Sequence, residues 1–448
     1  MMKRVLFLLL GLLAASGLHA FDAHVLDPSF GAFGQRVISF DLGGERNDRA
    51  AAAFATLDGK TVVVGRVSIA GGSRVGLTRL LADGSLDTSF GSGGKVVLDL
   101  CMDRVAGVQF LSSSFLIFGE TSECSTDASV DLRIAKVLAN GSLDSSFGSS
   151  GVVSRSFDPN AVDRINGIFV YSDGRLLLYG GVIPQGQSVE RPTFEIIPGN
   201  GVGTLSSFTE TDFAENASYR SALFSGSKLY FLVERAGTTL ATSGAFQTLT
   251  GLSMSAPIGF ASTSSGNANG CSLGLRYRPV ALAQVGSYIY AVGHSQSPFL
   301  QLFFASILAT DNSQGRTSSC LSDVVVTLED AVVESTFLTQ LYYAGTCTVA
   351  LPNATTSSQM CLGRLRQIDS GPQLVPDTTF NPNGGLPVST SFTAAAGQTP
   401  ISFGETLVQR TGGRVQLIGS RRWNQADEDY AVAQFGTPAL LRNGFESN

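Results

Sequence analysis

The sequence predicts an all-β protein, a seven-bladed β-propeller whose blades are four-stranded antiparallel sheets. Three observations predict it: a six-residue phrase recurring at a step near 57 residues, a short apolar run occurring seven times, and turn residues around each run.

The phrase is L-D-x-S-F-G. It stands at Leu26–Gly31 (LDPSFG), Leu86–Gly91 (LDTSFG) and Leu143–Gly148 (LDSSFG), with steps of 60 and 57. A worn copy reads LSSF at Leu205–Phe208, and another, PDTTFNPNGG, puts Asp377 and Phe380 in register. Between Ser206 and Asp377 lie 171 residues, three steps of 57, so two copies there are too eroded to see. In each phrase Asp87 or Asp144 is suited to bond its own downstream backbone, and Phe90 or Phe147 to plug the gap between sheets. The phrase is therefore expected to be the hinge between one blade and the next. A calcium loop is the competing reading, but such loops space several acidic oxygens two residues apart, which this phrase does not.

The apolar runs end at Gly65, Gly119, Gly180, Val233, Gly293, Gly345 and Gly419, at steps of 54, 61, 53, 60, 52 and 74. Each is rich in Val, Leu, Tyr and Phe and too short for a helix, so it reads as a buried strand. A weaker strand precedes it (RAAAAFATL, RINGIFVYS) and another follows (VGLTRLLA, LRIAKVLA). The stretch after the phrase, GKVVLDL or GVVSRSF, makes the fourth. The long last step absorbs an insertion carrying Cys347 and Cys361, and the strand Glu428–Phe435 ends the ring beside the first blade, so the two ends of the chain should meet.

ADGSLDTSFGSGGKVVLDL, with LDGKTVVVG and GLTRLLADGSLD, resembles the delta-60 repeat, a bacterial unit of exported proteins. The resemblance covers Leu26 to about Gly181 and returns near the C-terminus; from Val182 to Gln373 the chain departs from the pattern. It implies a propeller-like fold and carries no activity over to individual residues.

Residues 1–20 read as a signal peptide: Lys3 and Arg4 precede an apolar run, Val5–Leu13, and small residues follow up to Ala20. A spanning helix needs roughly 20 apolar residues, and no stretch of the chain reaches that. Residues 21–436 are expected to form the propeller and 437–448, containing RNGFESN, a tail that resembles a sorting tag. The formal charge of -6 becomes -8 without Lys3 and Arg4, 28 basic against 36 acidic residues, which argues against nucleic acid as a partner. The expected product is an exported monomer, periplasmic, cell-surface or extracellular, whose partner is a glycan or an envelope protein.

Six cysteines, Cys101, Cys124, Cys271, Cys320, Cys347 and Cys361, suit disulfides in an exported chain, and none is spaced as CxxC. Sequential pairing is expected: 101 with 124, 271 with 320, 347 with 361. The last closes a loop that the chain-entropy model values at about 3 kcal/mol.

Only His24 and His294 remain after residue 20, too few for a triad or a histidine metal site, and no nucleotide or metalloprotease motif occurs. His294 reads as a loop residue past a strand. No catalytic residue, metal or cofactor is expected, although paired carboxylates in a central channel, as in a polysaccharide-acting enzyme, are the alternative. The recurring chemical signal is arginine: Arg49, Arg104, Arg164, Arg220 and Arg278 each begin the strand ahead of an apolar run, the first three as Asp-Arg, with Asp41, Asp99, Asp158 and Asp212 a few positions earlier. Either each pairs with an aspartate and locks a hairpin, or equivalent positions form a ring of guanidinium groups that binds an anionic ligand such as an acidic glycan. Trp423 is read as a rim residue covered by Arg421 or Arg422, with sugar stacking as the alternative.

Overall fold

The computed structural model describes residues 25–121, 131–211, 213–236, 244–251, 253–259, 277–295, 302–309, 317–321, 327–333, 340–351, 356–369, 371–381 and 387–436. The expected signal peptide and tail, His24, Asp212, Cys124 and Cys271 lie outside these residues. Among the described residues no helix is long and apolar enough to cross a membrane.

Seven antiparallel sheets form the ring. From axis to rim, blade 1 is Arg49–Ala55, Thr61–Ile69, Gly72–Leu80 and Lys95–Leu98; blade 2 is Arg104–Leu111, Ser114–Thr121, Asp131–Leu138 and Val152–Arg155. Blade 3 is Val162–Val170, Leu176–Ile183, Arg191–Ile197 and Ser206–Thr209. Blade 4 is Ala217–Ser225, Lys228–Arg235 and Gly244–Thr250, with Ser253–Met254 and Ile258–Gly259 sharing the outer place. Blade 5 is Tyr277–Val285, Tyr288–Ser295, Leu302–Leu308 and Thr317–Leu321. Blade 6 is Thr327–Val333, Gln340–Ala350 and Thr356–Gln367, its outer place divided between Leu374–Pro376 and Val388–Thr390. Blade 7 is Ile401–Arg410, Arg414–Asn424 and Asp427–Gly436, and its outer place is filled from the other end of the chain by Val25–Leu26 and Gln35–Ile38. The two ends of the described chain thus meet in one sheet, with Val25 opposite Gly436 and Gln35 opposite Ala433. Each innermost strand touches the innermost strands on both sides, all the way round.

A four-stranded sheet has two apolar faces and no core of its own; stacking neighbours supplies it. The core accordingly divides into seven clusters, each astride one seam, such as Val62, Val64 and Leu77 of blade 1 against Phe115, Ile117 and Ala135 of blade 2.

The glycine that ends each apolar run has a geometric reason. Every innermost strand carries a β-bulge, and the glycine sits opposite the residue where the bulge begins: Ala50 with Gly65, Val105 with Gly119, Ile165 with Gly180, Pro279 with Gly293, Leu328 with Gly345, Gly404 with Gly419. A Cβ there would collide with the carbonyl oxygen of the residue before the bulge, Arg164 in the case of Gly180. Blade 4 has Val233 opposite Tyr219 instead.

The repeated phrase lies between the third and fourth strands of one blade, not between blades as expected, and it is a clamp more than a hinge. Asp87 Oδ1 accepts from the backbone N–H (3.1 Å) and hydroxyl (2.6 Å) of Ser89, while Oδ2 accepts from Arg79 Nε at 2.8 Å. Asp144 repeats this with Ser146 and Lys136, and Asp377 with Thr379 and Arg364. Asp27 uses Ser29 and takes Arg414 and Gln434 as its outer partners. Desolvation raises the Asp87 carboxyl, but bonds from Ser89 and Lys60 outweigh it and hold the group well below the ordinary carboxylate range. The phenylalanines Phe30, Phe90, Phe147 and Phe380 are all buried at the seams. The glycine after each of the first three donates to the next blade's turn: Gly31 to Asp83 O at 2.7 Å, Gly91 to Asn140 O at 3.2 Å, Gly148 to Asn200 O at 2.9 Å. Leu205–Phe208 is not a further copy, because Ser206–Thr209 is itself the outer strand and Phe208 stacks on Phe194.

Cys347 and Cys361 are bonded, with Cα atoms 5.8 Å apart, across two strands of 11 and 12 residues that the insertion lengthens. Cys101 and Cys320 are disulfide-bonded as well, though the pairings expected for them include residues outside the described set.

Two aspartates of the Asp-Arg pairs, Asp48 and Asp163, turn inward. Asp48 accepts from Phe40 N–H at 2.7 Å and Ser68 N–H at 3.2 Å. Asp163 accepts from Phe157 N–H at 2.8 Å and Ser156 Oγ at 2.7 Å, and its Oδ1 is buried without a partner. Desolvation, reinforced by Asp131 and Asp158, raises Asp163 to about 7.

Two outcomes follow from these contacts. Gly180→Ala should destabilise the fold by about 2 kcal/mol in urea denaturation, because the clash is with backbone that has no rotamer to yield. For Asp163, the folded state keeps a proton between the unfolded value near ~4 and about 7, so its contribution is present at low pH and lost as pH rises through that window. Asp163→Asn should remove this slope, gaining about 3 kcal/mol relative to the parent between pH 4.5 and 7.5; parallel pH profiles of parent and variant would refute it.

Candidate functional site

The bulges fix what surrounds one end of the ring's axis. Arg49, Arg104, Arg164 and Arg278 each stand one residue before a bulge and so occupy equivalent places on blades 1, 2, 3 and 5. Arg220 does not share that place: it is the bulged residue of blade 4, equivalent to Ala51, Ala106, Asn166, Val280 and Glu405. The five therefore form a staggered arc over five consecutive blades.

Their counter-charges are glutamates, not the aspartates upstream. Arg104 lies opposite Glu120 and pairs with it at 2.5 Å. Arg220 pairs with Glu234, which Arg278 also approaches at 4.0 Å. Arg49 reaches across to blade 7, to Glu428 at 3.4 Å and Glu405 at 3.9 Å. Of the preceding aspartates, Asp99 pairs with Arg74 at 3.0 Å. Arg164 is exposed and has no carboxylate within ion-pair distance among the described residues; Glu120 and Glu190 on either side both feel its charge.

Those two glutamates are shifted upward. Desolvation raises Glu120 against the pull of Arg104 and a bond from the Ile165 N–H. Desolvation also raises Glu190 against Arg164 and Arg220, with Glu234 and Glu120 adding repulsion. The result is a belt of alternating guanidinium and carboxylate groups, with one arginine uncommitted and two acids that hold their protons to higher pH than usual.

The position after each run's glycine has a second task. A bulge withdraws an N–H from its own sheet, and the preceding blade supplies the acceptor: Ser420 Oγ for Ala50 N–H at 3.1 Å, Glu120 Oε1 for Ile165 at 3.1 Å, His294 Nδ1 for Leu328 at 3.1 Å, Thr346 Oγ1 for Gly404 at 3.2 Å. Blade 5 has Pro279 at this point, which has no N–H to satisfy, and Glu234 behind it is spent on arginines instead. His294 is thus a buried strand residue and not the loop residue expected; burial, then the nearby Arg278, lowers it to about 4. The signal for Glu120, Glu234 and His294 was present in the sequence, since each directly follows the last residue of an apolar run. Trp423 is half-buried with the Arg421 guanidinium 4.8 Å over its ring.

Residues 57–90 and 116–147 match the model of a family described as a domain of unknown function (DUF5122) beta-propeller. Each matched segment runs from the inner hairpin or second strand of a blade to the buried phenylalanine of its clamp. No curated protein matches. Among solved structures the chain is similar to the β-propeller domain of the Trilobed protease from Pyrococcus furiosus, at 7% identity over 86% of this chain and 95% of that one, TM-score 0.43. It is also similar to a protein of unknown function from Dyadobacter fermentans (11%, 90% and 99%, 0.44) and to the polysaccharide lyase Uly1 (8%, 88% and 89%, 0.45). These two matched segments are propeller repeats, and the whole described chain is one seven-bladed ring.

Proposed function

We propose that this is an exported, monomeric binding propeller of the delta-60 repeat kind, acting without catalysis at or outside the cell envelope, and that its ligand is an acidic glycan held at the axial belt. In this reading residues 1–20 are the signal peptide and Arg49, Arg104, Arg164, Arg220 and Arg278 are the ligand-facing cations. Export is supported by the Cys347–Cys361 bond and by the bonded state of Cys101 and Cys320, since disulfides persist in oxidising compartments.

The observation that carries the ligand assignment is Arg164. The other four arginines have carboxylate partners, so a ligand anion must displace a glutamate to reach them; Arg164 needs no such exchange. A guanidinium offers a planar pair of N–H donors that matches a carboxylate.

A second reading rests on Glu120 and Glu190, both raised by desolvation and close enough to repel one another, as acid and base of a polysaccharide-acting enzyme. Calorimetry with oligogalacturonate decides between them. The binding reading expects Arg164→Gln to weaken affinity at least tenfold, a loss of about 1.4 kcal/mol, with unchanged melting temperature and no release of reducing sugar. Reducing sugar released by the parent and not by Glu120→Gln would replace binding with hydrolysis.

A further inference from the structure

On the opposite side of the ring from the axial belt, where the turns joining first and second strands project, a cavity of about 350 Å³ opens at the seam between blades 7 and 1. Its walls include Ser29 beside the outer strand of blade 7, Asp58 and Gly59 in the inner turn of blade 1, Asp83 in that blade's later turn, and Arg410 and Arg414 around the inner turn of blade 7.

The two arginines distinguish this seam. Arg414 gives its Nε to Asp27 at 2.8 Å, and neither of its Nη groups makes a hydrogen bond among the described residues. Arg410 is half-buried and gives its Nη groups to neutral oxygens across the seam, Thr61 Oγ1 and Gly59 O. It has no carboxylate within ion-pair distance among the described residues, whereas the buried guanidiniums of Arg79 and Arg364 and the half-buried one of Arg421 all do, at 2.8 to 2.9 Å. The acids lining the cavity are committed: Asp58 to Lys60 at 3.0 Å, and Asp83 Oδ1 to the Ser85 N–H and hydroxyl. Burial first, and then the charge of Arg414, make the Arg410 cation less favourable than usual, an effect that the charge of Asp58 offsets only in part. A half-buried cation without a counter-ion, facing a second cation across a cavity, is a cost that a bound anion removes.

We infer that the cavity at the seam of blades 7 and 1 is an oxyanion site, in which Arg414 presents its open fork and Arg410 its uncompensated charge to a carboxylate or sulfate group. The two cavities at comparable places on other seams have different walls. One, of about 230 Å³ between blades 1 and 2, is walled by Phe110, Phe115 and Leu57, and the other, of about 240 Å³ between blades 3 and 4, by Tyr171, Phe224 and Leu229. Only the closing seam joins two guanidinium groups to a cavity among these three. An anion there touches both the first and the last blade, so its binding opposes opening of the ring and raises the melting temperature as its concentration rises.

The site is independent of the axial belt, and the test keeps them apart. Full-length Arg164→Gln protein is melted at constant ionic strength in chloride, then with increasing sodium sulfate or sodium galacturonate, alongside the Arg164→Gln/Arg414→Gln double variant. A saturable rise in Arg164→Gln, absent from the Arg164→Gln/Arg414→Gln double variant, is the expected result. A rise with sulfate but not with galacturonate in Arg164→Gln also upholds the site and excludes a sugar-borne source. No rise beyond chloride in Arg164→Gln, or an equal rise in the double variant, overturns the inference. Arg410→Lys in the Arg164→Gln background, which keeps the charge and loses the planar fork, serves if the double variant fails to fold, and should weaken the response about tenfold.

Discussion

Everything in this molecule depends on closure: two short strands, Val25–Leu26 and Gln35–Ile38, hydrogen-bonded to Asp427–Gly436. Each sheet has two faces of valine, leucine and aromatic side chains that only its neighbours cover, so a ring with one open seam would leave two faces wet. Pairing strands from opposite ends of the described chain removes that exposure. It also lets Asp27, from the beginning of the described chain, receive Arg414 and Gln434 from its last blade.

The order of the ring is enforced by contacts that point one way. Each clamp is built inside one blade from an aspartate, a serine or threonine and a basic residue, which lies on the third strand in three clamps and is Arg414 at the start of the second strand in the fourth, and its phenylalanine then reaches forward to the next blade. Near the axis the same direction recurs, because the residue after the run's glycine receives an N–H from the blade ahead. Rim and axis are thus fixed by separate bonds. The side chains around the axis are left to vary: one place holds Arg49, Arg104, Arg164 and Arg278 on blades 1, 2, 3 and 5 but Ser218, Thr327 and Phe403 on blades 4, 6 and 7.

Much of this was legible from residues 25–181, where the repeat is fresh. The blade count, the four-strand unit and the meeting of the ends came from the spacing of Gly65, Gly119 and Gly180 and of Phe30, Phe90 and Phe147. The reason for the glycines was not legible, since a bulge on a partner strand leaves no mark in the glycine's own segment. The clamp's basic partner was half visible: Arg79 precedes Asp87 by 8 residues and Lys136 stands as far ahead of Asp144, but a longer turn moves Arg364 to 13 residues before Asp377. Leu205–Phe208 misled because LSSF resembles the clamp phrase while its register belongs to a strand. Four of the five arginines stand at equivalent places and Arg220 two residues further along its strand, yet their glutamate partners were missed. Arg104 and Glu120 are 16 residues apart around a hairpin, and Arg49 finds its partners on blade 7, distances over which local spacing says nothing.

Three chemically different acceptors, a hydroxyl from serine or threonine, a carboxylate and an imidazole, do the same job at four seams, and this makes those seams unequal toward acid. A hydroxyl accepts an N–H at any ordinary pH. An imidazole nitrogen does so only while it lacks a proton, and His294 takes one at about 4. The junction of the fifth and sixth blades therefore gives up this one bond in acid, while the hydroxyl-bridged junctions keep theirs.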